Sequence, residues 1–331
     1  MLIKKKLVFI TAVVILLISL LFFALPEKQP SGSLSQPDLK PYFSKLASPS
    51  VSFTQLNSML PEKKLPVFNV PDPDQNQLAD FFQPMAQNLK LPQNPKSKTI
   101  NSVPFLSWAS TDGYLNVNLQ TGQFSLKISH PSNKTAYINE IDALNLARNW
   151  LEQFNLINQE SAVTIGYLSH GGQELMPQAS PSLGAYFQFN FTPEFNDQPV
   201  FSTIEHSFSP ITIMITNQGQ IFYVNYQLPV LALESAGLNS QPVKLKKLSQ
   251  INQEISANKP VITLAESQPG IYQSTLGQPE NITYQQFIPG YQFVRLQNQN
   301  LFLPILQLKG TATLDNKLQV DLTAFLSLMQ E

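Results

Sequence analysis

Three histidines, His130, His170 and His206, supply all the imidazoles of the chain, and no cysteine accompanies them. No pair of them has the HExxH spacing, or any other spacing that sets two ligands on one helix face. His170 follows an expected strand over 163–169, and His206 lies in the loop after one over 185–192. A simple meander puts these positions at opposite ends of a strand, about 20 Å apart at roughly 3.3 Å per residue. They are not expected to share a metal, and no cofactor is implied. Ser169-His170-Gly171-Gly172 has the look of an esterase oxyanion loop, but that chemistry needs a serine on a G-x-S-x-G elbow, which the sequence lacks. The carboxylates Asp72, Asp80, Glu140, Asp142 and Glu174 are scattered through caps and loops, with no pairing that suggests glycosidase chemistry. No glycine-rich phosphate loop occurs. The chain is therefore not expected to be an enzyme.

A better functional candidate is the seventeen-residue connection from Pro193 to Ser209. It is long for a link inside a sheet, and long loops tend to carry function. Phe195 and Phe201 are its candidate apolar anchors, with Glu205 and His206 as rim contacts. The duller alternative is that the loop docks on its own domain.

The elements that would position these residues alternate regularly. From Asp74, with Asp72 or Asp74 as cap, Leu78, Phe81, Phe82, Met85 and Leu89 fall at helical spacing, and Pro84 should kink or split that helix. Phe105 to Ala109 and a hairpin around Thr121-Gly122 follow. Asn139 can cap a helix carrying Ile141, Leu144, Ala147, Trp150, Leu151 and Phe154. Strands are expected at 163–169, 185–192, 210–217 and 220–227. Phe187, Phe189 and Phe191 alternate there with Gln188 and Asn190, as in antiparallel sheet with one buried face. A third helix carries Leu245, Leu248, Ile251 and Ile255. Strands at 261–265, 282–288, 291–297, 301–313 and 316–325 end the chain. The expected fold class is α+β: tandem modules of one helix on an antiparallel β-meander, over 65–135, 136–235 and 236–331.

Ahead of these modules, nineteen residues beginning at Leu7 and ending at Leu25 carry no charge. At about 1.5 Å per residue the run reaches roughly 28 Å, which suits a transmembrane helix. Lys4, Lys5 and Lys6 in front of it would hold residues 1–6 in the cytoplasm and place the rest outside. The rival reading is a cleaved secretory signal, although the apolar core exceeds the usual length and no small-x-small site follows directly. Residues 26–64, broken by Pro26, Pro30, Pro37, Pro41, Pro49 and Pro61, read as a flexible tether. Without cysteine there is neither lipid attachment nor disulfide, so stability must come from apolar burial. Hydrophobic residues make up 43% of the chain, enough for a core, and a net charge of -1 offers nucleic acid no attraction.

The stretch Ala143-Leu-Asn-Leu-Ala-Arg-Asn-Trp-Leu followed by sheet resembles the helix-plus-meander unit of PepSY-like domains. The ending Asn300-Leu-Phe-Leu-Pro-Ile-Leu-Gln-Leu-Lys-Gly-Thr-Ala, with Asp315-Asn316 and Val320 to Phe325, is similar to the closing strands of YycH/YycI-type proteins. That resemblance implies a single-pass, extracytoplasmic regulator of the bacterial cell envelope. It would act by protein–protein contact without catalysis, its partners being the bilayer and an envelope or membrane protein such as a sensor kinase. The alternatives are an extracytoplasmic hydrolase with dispersed loop residues and a structural component that binds wall polymer.

Overall fold

The computed structural model describes residues 49–53, 65–128, 137–157, 161–171, 174–178, 180–202, 209–230, 238–266 and 278–330. Strands β1 (Ser50–Phe53) and β2 (Val67–Val70) precede helix α1 (Gln75–Asn88). Then come β3 (Lys96–Ile100), β4 (Val103–Ser110), β5 (Gly113–Asn118) and β6 (Phe124–Ile128). Helix α2 (Glu140–Gln153) leads into β7 (Ala162–Gly171), β8 (Glu174–Gln178), a 3-10 turn over Pro181–Leu183 and β9 (Tyr186–Thr192). The short strands β10 (Glu194–Phe195) and β11 (Gln198–Phe201) follow, then β12 (Ile211–Thr216), β13 (Ile221–Tyr226) and β14 (Asn239–Gln241). Helix α3 (Leu248–Ser256), β15 (Val261–Glu266), β16 (Pro279–Leu296), β17 (Gln299–Leu314) and β18 (Gln319–Ser327) complete the order.

Local chemistry starts and stops these elements. The Asp74 carboxylate accepts from the amides of Asn76 (2.8 Å) and Gln77 (3.1 Å), capping α1. Asn139 caps α2 through the Asp142 amide at 2.9 Å. Pro84 does not split α1. The carbonyl of Asp80 that loses its donor belongs to an exposed residue, where water can serve it, while Leu78, Phe82, Met85 and Ala86 hold the inner face. Two-residue turns with both residues at positive φ close three hairpins, at Asn101-Ser102, Asn196-Asp197 and Gln297-Asn298.

Sheet 1 is antiparallel throughout, in the order β3-β4-β5-β6-β13-β12-β9-β7-β8. Both longer helices cover the same face of it. Phe82 of α1 meets Trp108 and Phe124, with ring centroids 6.4 and 5.0 Å away. On α2, Ala143, Ala147 and Leu151 are buried toward β9 and β12. Sheet 2 runs β10-β11-β16-β17-β18-β15, with β1 added to β16, β2 to β17 and β14 to β2. Arg295 and Asn300, at the turn end of the long β16–β17 hairpin, tie sheet 2 to sheet 1. Both donate to the carbonyl of Gln120, at 3.1 and 2.8 Å, and both reach Asp72.

Several expectations are corrected here. No helix among the described residues is long and apolar enough to cross a membrane. The helices of 14, 14 and 9 residues each bury one face only, and even the longest reaches only about 21 Å. Residues 7–25, with Leu7 and Leu25 at their ends, and Lys4, Lys5 and Lys6 lie outside the described residues. The transmembrane element, the bilayer as partner and the single-pass address are accordingly not carried forward. The modules expected over 65–135 and 136–235 do not stand apart, because β6 pairs with β13 and merges their strands into sheet 1. That pairing removes two strand edges that separate modules would expose. The stretch read as a tether contributes β1, which pairs in parallel with Asn281–Tyr284 and sets Phe53 edge-on to Phe287.

Candidate ligand-binding site

Phe195 and Phe201 are core residues, 2% and 5% exposed. Phe195 stacks on Phe302 with centroids 4.3 Å apart and sits edge-on to Phe68 and Tyr291 at 4.8 and 5.6 Å. Phe201 turns to the other side of sheet 2, 5.8 Å from the Phe325 ring. Gly290 leaves room for it, since a Cβ there would come within 2.5 Å of that ring. The β10–β11 hairpin, the described first half of that connection, therefore packs both rings into the chain's own core, and they are not free as surface anchors. Glu205 and His206 lie outside the described residues, as does His130, and His170 falls within β7. Among the described residues no group of histidine, aspartate and glutamate side chains is placed to hold a metal ion.

The face of sheet 1 opposite the helices gathers a different set of side chains. The registers place Ser107, Asn116, Ser125, Asn225, Thr212, Asn190 and Thr164 in one line across seven neighbouring strands. A second line, two residues along each strand, runs Ala109, Tyr114, Lys127, Tyr223, Met214 and Gln188. These positions are the polar half of strands whose other half is core. In β5, Leu115 and Val117 are buried while Tyr114, Asn116 and Asn118 are half-buried. Tyr114, Met214, Phe222 and Tyr223 take no part in the hydrophobic core.

The centre of this face is the seam between β6 and β13. Beneath it, Phe124 stacks on fully buried Tyr226 at 5.1 Å, and the Tyr226 hydroxyl donates to the Leu156 carbonyl at 3.2 Å. The seam is thus held from below, which fixes what projects above. On either flank the polar line is bonded to itself. Ser107 Oγ donates to Asn116 Oδ1 at 2.8 Å, and Thr212 Oγ1 and Gln188 Nε2 donate to Asn190 Oδ1 at 2.9 and 3.1 Å. Between the flanks, Ser125, Asn225, Tyr114 and Tyr223 have no side-chain hydrogen bond to another described residue. Burial raises both phenols above their ordinary pKa, and for Tyr223 the neighbouring Tyr114 adds to the effect. Both are therefore neutral donor–acceptors at physiological pH. Lys127 is the one charged residue of the two seam strands, its Nζ 5.7 Å from the Phe222 ring centroid, and Phe222 in turn lies 4.7 Å from Tyr186; Lys96 and Lys98 stand on the same face at β3.

No family model matches the chain. No curated protein matches it either. Among solved structures the chain is similar to an uncharacterized protein from Eubacterium rectale ATCC 33656, at 10% identity and a TM-score of 0.47. The likeness covers 80% of this chain and 82% of that one. The resemblance to PepSY-like and YycH/YycI-type proteins therefore has no support beyond the short stretches that suggested it, and it is set aside.

A second surface lies along α2. Asp142, Asn145, Leu146, Asn149, Trp150 and Gln153 line an open groove of about 440 Å³. Beside its start, Tyr137 and Ile141 are 75% and 70% exposed. The described lining comes from one helix, so no second described element closes over a ligand there. The seam was hidden from sequence reasoning for a definite reason. The outward residues of each strand follow from period-2 alternation, but the pairing of β6 with β13 joins segments about a hundred residues apart, which no local pattern encodes.

Proposed function

We propose that the chain is a binding protein that takes an uncharged polar ligand on the seam of sheet 1. The observation that carries this reading is the unused hydrogen-bonding capacity of Ser125 and Asn225 between two neutral tyrosines. Amide, hydroxyl and phenol groups can each donate and accept, so they suit a ligand rich in hydroxyls or amides. Among the described residues, the two register lines across the seam, from Ser107 to Thr164 and from Ala109 to Gln188, hold no carboxylate or imidazole. Groups of this kind fit holding a ligand better than converting it.

Thermal denaturation with and without ligand tests the proposal. Neutral polyols and sugars, carboxylates and amines are screened against the parent chain and a Tyr223→Ala/Asn225→Ala variant. A ligand at ten times its Kd stabilises by about 1.4 kcal/mol. A neutral compound should raise the melting temperature of the parent chain and not that of the variant. Equal shifts in both would place binding elsewhere, and a response to carboxylates or amines alone would contradict the ligand class.

A further inference from the structure

The free edge of sheet 1 is a surface separate from the seam. We propose that β3 takes up an acidic peptide segment of a partner protein as an added antiparallel strand. β3 is the outermost strand, bonded to β4 alone, and all five of its residues are solvent-exposed. The turn at Asn101-Ser102 makes Ile100 and Val103 a hydrogen-bonded pair, so by the alternation of an antiparallel ladder Lys98 and Lys96 also bond to β4. Ser97 and Thr99 then direct their N–H and C=O groups outward, where no described strand pairs with them. An extended peptide completes such a ladder with main-chain hydrogen bonds. The opposite edge strand, β8, is less suited, because it is interrupted by Pro177, which has no N–H to offer.

Side-chain chemistry selects the occupant. Lys96, Lys98 and Ile100 share one side of β3, and neither lysine has an ion-pair partner among the described residues. Ile100 is 40% exposed. A strand that presents an acid opposite each lysine and an apolar residue opposite Ile100 matches all three, since opposite charges attract across a ladder and like charges repel. Lysines on an edge strand also guard against association, and here the guard is directed at copies of the same chain. Setting Ser97 of one β3 against Thr99 of another places Lys98 against Lys98, at the closer, non-hydrogen-bonded position. The charges that reject a second copy thus favour an acidic strand. β3 stands three strands from β6, roughly 14 Å away, so strand addition and ligand binding at the seam can be lost separately.

Calorimetric titration of the full chain with the peptide Thr-Val-Thr-Glu-Thr-Glu-Thr, and with its counterpart carrying lysine for glutamate, tests this. The acidic peptide should bind about tenfold more tightly than the basic one, and Lys96→Glu/Lys98→Glu should reverse that preference. Thr99→Pro removes an outward N–H and no bond to β4. It should weaken the acidic peptide about tenfold with an unchanged melting temperature. Equal binding of the two peptides, or no binding of either, would overturn the inference. Acidic binding that survives Thr99→Pro would show capture by charge without strand pairing and would overturn it as well. A concentration-dependent dimer that Thr99→Pro dissociates would give the edge to a second copy and overturn the acidic partner.

Discussion

Replacing Phe195 with alanine separates a core role from a surface one. The ring is 2% exposed, stacked on Phe302 and edge-on to Phe68 and Tyr291. A buried aromatic ring removes roughly 150–250 Å² from water, worth about 4–6 kcal/mol at 25 cal/mol per Å². Measured Phe→Ala changes in cores cost about 3–5 kcal/mol. We take about 4 kcal/mol, because the β10–β11 hairpin lies at the edge of sheet 2 and can settle partly into the space. For a unit of this size, about 2–4 °C per kcal/mol gives a melting temperature lower by roughly 8–16 °C. Differential scanning calorimetry on parent and variant measures it. Phe195→Leu, which keeps most of the apolar volume, should fall by less than half as much and guards against outright loss of folding. A drop below about 2 °C for Phe195→Ala would show that the ring is not part of the core and would restore the loop as a binding candidate.

Three further outcomes follow from the same structure. Asn300→Ala should cost about 2 kcal/mol in urea unfolding, because Asn300 is 1% exposed and bonds Asp72, Gln120 and Arg295 at once. Gly290→Ala should loosen β11 and lower stability by about 1–3 kcal/mol, since the new Cβ would sit 2.4 Å from the Pro199 carbonyl; an unchanged melt would contradict that close approach. Alkaline titration should destabilise the fold. Burial raises Tyr226 and Tyr284 far above the ordinary value of 10.0, so their contribution is complete below that pH and falls as pH climbs toward the folded values. Urea unfolding between pH 8 and 11 should show stability flat at first and then declining, and a rise above pH 10 would reverse the sign of the argument.

What the sequence disclosed was local. Asp74 and Asn139 announce their helices because a side-chain oxygen beside free amides is a short-range device. The alternation in β9 and β12 likewise reveals which residues face the core. Periodicity placed Ile141 on the inner side of α2, yet it is 70% exposed, because the buried stripe is Ala143, Ala147 and Leu151. The strands expected at 282–288 and 291–297 are one, β16, which runs through Pro289 and Gly290. That proline lies between the segments paired with β1 and β11, where no described strand pairs with the outer side of β16. Joining β6 to β13 and folding β10–β11 against sheet 2 depend on contacts remote in sequence. The candidate site rests on the first of these, and the fate of Phe195 on the second.

The most direct test of the seam as a binding site is fluorine NMR of the chain with its 10 tyrosines replaced by 3-fluorotyrosine. Signals are assigned by single Tyr→Phe substitutions and followed during titration with the neutral ligand that stabilises the chain best. The account predicts that the Tyr114 and Tyr223 signals move together and saturate, while those of buried Tyr226 and Tyr284 stay in place. Saturating shifts confined to other tyrosines, with Tyr114 and Tyr223 unmoved, would contradict it.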